Sequence, residues 1–169
     1  MGSEKKKMLL LDAILAALLI LVDQFTKYLA VTYLKGRESI VLIKGVLELQ
    51  YLENRGAAFG ILQNQKVFLV IMGLIFMGAI GYLLYRLPDG KKFFLVHILA
   101  SVIIAGGLGN MIDRIRLEYV IDFISFVLIN FPIFNVADCF VVVATFGVFF
   151  LLLFVYKDED LDFLGKKKK

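Results

Sequence analysis

Apolar and polar positions alternate on two length scales along this chain. On the longer scale, four apolar runs cover Met8–Tyr33, Val67–Tyr85, Phe93–Ile112 and Val136–Tyr156. Each supplies the roughly 20 residues that a helix rising 1.5 Å per residue needs to cross ~30 Å of hydrocarbon. On the shorter scale, Ile40–Ile43 is apolar, Lys44-Gly45 reads as a turn, and Val46–Leu52 alternates, with Leu47, Leu49 and Tyr51 on one face and Glu48 and Gln50 on the other. This period of two predicts a half-buried hairpin. The small, glycine-containing stretch Asn54–Gly60 leads into a short amphipathic piece ending at Lys66. That piece is expected to lie on the membrane surface as a helical turn. Pro88 and Gly90 mark a tight turn over Arg86–Lys91.

Composition supports a membrane reading. The chain has 169 residues, 60% of them hydrophobic, with two prolines and no tryptophan, against about 45–50% apolar in a soluble domain. One membrane-embedded domain over residues 1–169 is expected, with charged tails at about 1–7 and 158–169 and a β and surface-helix insertion at about 38–66. The net charge of +4 is no nucleic-acid signal, because the lysines gather at the chain ends, where they set orientation or meet anionic membrane lipid. Lys5–Lys7 ahead of an apolar run mimic a signal peptide. No small-residue cleavage site follows, and Asp23 and Lys27 fall within the same helical repeat, so an uncleaved span is expected. The N-terminus, the Arg86–Lys92 loop and the C-terminal segment share one side and hold eleven of the 19 basic residues. The positive-inside rule therefore predicts cytoplasmic termini.

Polar residues inside these runs are few and converge in depth. Asn110 and Asp113 close the third run, Asp138 opens the fourth, and Asp23 lies about 22 Å up the first at 1.5 Å per residue. Asn54, Asp122 and Asn135 sit in the adjoining outer segments. All fall in one layer near the outer leaflet. A carboxylate at the bilayer centre costs on the order of 2.5–3.5 kcal/mol, which makes such groups functional candidates. Asn110, Asp113 and Arg114 share a helix face, Asp113 can pair with Arg114 or Lys27, and Asp23 can pair with Lys27 at i+4. Asp122 and Asp138 have no basic neighbour at helical spacing. Two unpaired carboxylates brought together share one proton, so that one activates water while the other polarises a carbonyl. That chemistry cuts a peptide bond without a covalent intermediate.

Competing chemistries fit less well. Cys139 and the sole histidine, His97, lie roughly 20 Å apart by helical rise, too far for a nucleophile and its base; both read as packing residues. Ser125 has no lysine placed to activate it. Asp122, Asp138 and the asparagines offer oxygen ligands for magnesium, but no His/Cys set or phosphate-cradling loop accompanies them. A transporter would need a polar path continuing to the inner side, and a non-catalytic scaffold would use the hairpin to hold a partner.

Five boxes appear in order: Asp23-Gln24-x-x-Lys27, Asn54-x-Gly56-Ala57-Ala58-Phe59, Gly109-Asn110-x-x-Asp113-Arg114, Val120-x-Asp122-Phe123 and Phe134-Asn135-x-Ala137-Asp138. In this order they resemble the signal peptidase II family, the lipoprotein signal peptidases. The resemblance implies a mainly α membrane fold: four transmembrane helices, a small extracytoplasmic β-cradle and a short amphipathic surface helix. It implies an aspartic endopeptidase of the bacterial cytoplasmic (inner) membrane, cutting diacylglyceryl-modified prolipoproteins before the lipidated cysteine. Asp122 and Asp138 would be catalytic. Asn54, Gly56, Asn110, Arg114 and Asn135 would orient substrate and dyad, supported by Asp23, Lys27, Asp113 and Ala137. No metal or cofactor is implied, globomycin-type peptides are expected to inhibit, and the enzyme is expected to act as a monomer. The β segment and the Asn54–Lys66 stretch are candidate walls or lids.

Overall fold

The computed structural model describes residues 2–57, 61–88 and 90–165. Among the described residues, four helices are long and apolar enough to cross a bilayer. They are α1 (Ser3–Leu34), α2 (Lys66–Arg86), α3 (Phe94–Leu117) and α4 (Val136–Phe154). A 3-10 turn at Lys91–Phe93 leads into α3. Another, at Asp158–Leu161, precedes the short α5 (Asp162–Gly165).

Helix α3 is the central element, packed against α1, α2 and α4. Its buried positions include Ala100, Ser101, Ala105, Gly106 and Gly109, small residues that bring helix axes close. A methyl group at Gly106 would run into the carbonyl of Ala137 on α4, so this crossing requires glycine. Helices α2 and α4 leave most of their apolar surface outward, as spans facing lipid do. Helix α1, at 32 residues, is about 48 Å long and outreaches the hydrocarbon. The segment expected as a charged tail is helical from Ser3, and the Lys5 ammonium is buried against the carbonyls of Leu84 and Leu87 at the end of α2. At the same end, Leu84, Leu87, Phe93, Ala100, Leu151 and Tyr156 form an apolar cluster. Residues 158–165, also expected as tail, fold back there: Lys92 pairs with Asp160 at 2.6 Å and Arg86 donates to the Phe163 carbonyl at 2.7 Å.

At the opposite end, β1 (Ile40–Ile43), β2 (Leu47–Asn54) and β3 (Val120–Phe126) make an antiparallel sheet in the order β1-β2-β3. The expected hairpin is β1–β2. Leu49 and Tyr51 pack against a cluster of Ala30, Leu34, Ile121 and Phe123, as the alternation required. Strand β3 is not anticipated by the sequence, which places Asp122 only in an outer segment adjoining the spans. Glu118 turns the chain out of α3 with φ 73°, and a β-branched and aromatic run follows at once. The expected surface helix is not present among the described residues. Residues 61–64 form turns, with Leu62 and Asn64 at φ 60°, a left-handed conformation that a continuing helix does not tolerate. Ala58 and Phe59 of the Asn54 box, Gly60, Asp89 of the inner turn and the terminal Lys166–Lys169 lie outside the described residues.

Candidate active site

The site lies where the sheet meets the ends of α1, α3 and α4. Asn135 is the cap of α4, with extended backbone (φ −131°), and its Oδ1 accepts from the Asp138 amide at 3.0 Å. Asp138 answers by accepting from the Asn135 amide through Oδ2 at 3.1 Å, closing a capping box. The same Asn135 side chain donates from Nδ2 to Asp122 Oδ1 at 2.6 Å and to Asn110 Oδ1 at 3.0 Å. One buried amide thus touches both candidate acids. Phe134 is stitched to β3 through mutual hydrogen bonds with Ile124, which sets Asn135 beside Asp122.

Asp122 is buried, with Asn54 Nδ2 donating to its Oδ2 at 2.9 Å. Asn54 Oδ1 in turn accepts from the Gly56 amide at 2.9 Å, and the Gly56 carbonyl accepts from Arg114 Nη2 at 2.9 Å. Asp138 is half-buried, and its Oδ1 accepts from Asn110 Nδ2 at 2.8 Å. Neither acid forms an ion pair among the described residues. Burial pushes the Asp122 carboxyl up from 3.8 to about 6; the Asn54 and Asn135 hydrogen bonds oppose that rise and the Asp138 charge adds to it.

Beneath this pair, Lys27 is 1% exposed and bonded to Asp23 Oδ2 at 2.9 Å, Asp113 Oδ2 at 2.8 Å and Asn110 Oδ1 at 2.9 Å. Of the two pairings open to Asp113, Lys27 is the one formed; Arg114 turns to Gly56. The supporting acids also hold backbone. Asp23 Oδ1 accepts from the Ala137 amide at 3.0 Å, and Asp113 Oδ2 also accepts from the Ile121 amide at 3.3 Å. Ala137 precedes Asp138 and Ile121 precedes Asp122, so each supporting carboxylate grips the peptide just before one candidate acid. All eleven residues singled out in the sequence are therefore linked in one network. Gln24 stands in the first box with no role implied for it. It donates to Asp113 Oδ1 at 3.0 Å, Asp23 Oδ2 at 3.2 Å and the Gly109 carbonyl at 3.2 Å. Its position next to Asp23, at the same depth, was the available signal. Gly109 must lack a side chain, because a Cβ would stand 2.5 Å from Asp23 Oδ2.

Comparison with known proteins identifies the family. A family model described as Signal peptidase (SPase) II matches residues 15–156. Lipoprotein signal peptidases from Brevibacillus brevis and Streptococcus thermophilus are each 44% identical; the first match covers 92% of this chain and 97% of the relative, the second 88% and 92%. The one from Caldanaerobacter subterraneus subsp. tengcongensis is 42% identical over 83% of this chain and 94% of its own. Two solved structures, described as a bacterial membrane enzyme obtained by the in meso method, superpose with TM-score 0.75 at 31% identity. They cover 94% and 86% of this chain, and 92% and 94% of their own. The fold and these matches define a multi-pass membrane peptidase of the aspartic class. The chain belongs to the signal peptidase II family, and it removes signal peptides from prolipoproteins.

Proposed function

We propose that Asp122 and Asp138 are the catalytic pair and that the bond cut lies just before a diacylglyceryl-modified cysteine. The observation that carries this reading is Asn135, whose one side chain hydrogen-bonds Asp122 and caps Asp138. Asp122, buried and pushed up to about 6, holds the proton. Asp138, more open, takes a proton from water. The resulting hydroxide attacks the scissile carbonyl carbon while Asp122 passes its proton to the carbonyl oxygen. In collapse of the tetrahedral intermediate, Asp138 gives its proton to the leaving nitrogen and Asp122 recovers one from the collapsing hydroxyl group. Asn54, Gly56, Asn110, Arg114 and Asn135 position substrate backbone and acids; Asp23, Lys27, Asp113 and Ala137 hold the frame.

The substrate's apolar signal helix and its acyl chains keep it in the bilayer, so the catalytic layer meets it near one headgroup region. The basic-residue distribution makes that the outer leaflet of a bacterial cytoplasmic membrane, with both termini inside. The protein acts as a monomer on a lipid-embedded substrate, and a globomycin-type cyclic peptide occupies the same site. Asn54 borders Asp122, and the described parts of the Asn54–Lys66 stretch serve as a wall of the substrate cleft.

The test uses detergent-solubilised protein and a diacylglyceryl-modified prolipoprotein, read as a gel shift. Cleavage by the wild type and its loss in both Asp122→Asn and Asp138→Asn are expected. Undiminished cleavage by either variant removes the pair.

A further inference from the structure

The catalytic network leaves one buried titratable pair unused. Asp12 on α1 and His97 on α3 are 8% and 3% exposed, with Oδ2 and Nδ1 2.7 Å apart. They sit about 16 Å along α1 from Asp23 and about 20 Å along α3 from Asn110 by helical rise, toward the other leaflet. Burying such a pair between spans is costly, and one located this far from the catalytic acids calls for its own account.

Asp12 engages Nδ1 and so fixes which edge of the ring faces outward. Nε2 has no hydrogen-bond partner among the described residues. Yet no fully buried side-chain nitrogen or oxygen there lacks one, so Nε2 must reach open space. The open space bordered by His97 is a cavity of about 540 Å³ between the start of α1 and the entry to α3, lined also by Glu4, Met8, Gly90, Lys91 and Phe94. Among the described residues at its mouth, the charges are not all paired. Glu4 is held by Lys7 at 3.1 Å and Lys92 by Asp160 at 2.6 Å, whereas Lys91 forms no ion pair among the described residues. The positive end of the α3 dipole borders the same space. Leu11 and Leu95, near the lining residues in sequence, are exposed apolar side chains.

We propose that this cavity binds the phosphate of an anionic glycerophospholipid from the leaflet opposite the catalytic layer. Lys91 and the Nε2 edge of His97 face the phosphate oxygens, and Asp12 holds the far side of the ring. An anionic lipid fits better than a zwitterionic one, because the neighbouring carboxylate, Glu4, is already paired with Lys7. Basic pockets between spans are a general means of capturing acidic headgroups.

Thermal unfolding of the full chain in detergent, titrated with dioctanoyl-phosphatidylglycerol, tests the assignment. A saturable rise in Tm is expected. Its dissociation constant should weaken about tenfold or more in Lys91→Ala, an exposed position that leaves the packing intact, and in His97→Gln. Dioctanoylglycerol and inorganic phosphate, run as separate arms, should bind at least about tenfold more weakly than the lipid. Lipid affinity unchanged in Lys91→Ala overturns the site whether or not His97→Gln folds. Equal affinity for dioctanoylglycerol reduces it to an apolar crevice, and equal affinity for inorganic phosphate makes it an anion site with no lipid role; either result overturns the proposal.

Discussion

Asp122 is under two opposed demands, and they are measurable separately. Burial holds its carboxyl up at about 6 against 3.8 in an unfolded chain. Between those values the unfolded state has released the proton and the folded state still binds it. Stability from this group is therefore complete below about pH 4 and is lost as pH rises through 6, by roughly 3 kcal/mol at 1.36 kcal/mol per unit. Detergent unfolding of wild type and Asp122→Asn at pH 4 and pH 7 should show the wild type losing about that much more than the variant. Parallel pH profiles would mean that Asp122 is not held neutral. Asn54 acts on the same group in the other direction, since its hydrogen bond pulls the carboxyl down. The pH–rate profile should be bell-shaped, and Asn54→Ala should move its alkaline limb to higher pH, by about half a unit or more. A limb that stays in place while kcat falls would assign Asn54 to substrate alone.

At the scale of elements, the N-terminus of α4 does structural and chemical work with one residue, and substitution can divide the two. Serine is as good a cap as asparagine, so Asn135→Ser keeps the Asp138 amide satisfied and should cost less than about 1 kcal/mol of helix capping. It has no amide to donate to Asp122 and Asn110 at the distances seen here. Cleavage should fall about 100-fold or more while Tm changes little, because loss of alignment alone costs this much. Near wild-type cleavage would mean that Asn135 is only a cap. The elements also differ in how openly the sequence declares them. The spans and the β1–β2 hairpin follow from long apolar runs and strict alternation. Strand β3 does not: seven residues between two helices carry too little periodicity, and Asp122 interrupts what there is. The surface helix is not found among the described residues, and amphipathic spacing around residues 61–64 gives no sign of left-handed Leu62 and Asn64. That reversal is a property of backbone path.

For the whole molecule, depth along each span placed the polar residues in one layer before any packing was known. The absence of basic neighbours separated Asp122 and Asp138 from the paired acids. Depth could not tell which peptide each supporting carboxylate would hold, because Ile121 and Ala137 take part through their amides, and every residue has one. The structure makes Lys27 the hub of that arrangement: through Asp23 and Asp113 it ties α1 and α3 to the peptides ahead of Asp138 and Asp122. A buried cation with two buried anions stabilises little in itself, but removal of one partner leaves charge without compensation. Lys27→Met should therefore lower stability by about 3–5 kcal/mol. The triple variant Lys27→Met, Asp23→Asn, Asp113→Asn removes the charge altogether and keeps one carbonyl oxygen at each position to accept from Ala137 and Ile121. It should regain more than half of the lost stability in detergent unfolding, and cleave prolipoprotein faster than Lys27→Met alone. If the three changes simply add and the triple variant is the least stable, the acids hold the frame through something other than Lys27, and the two peptide grips are independent of one another.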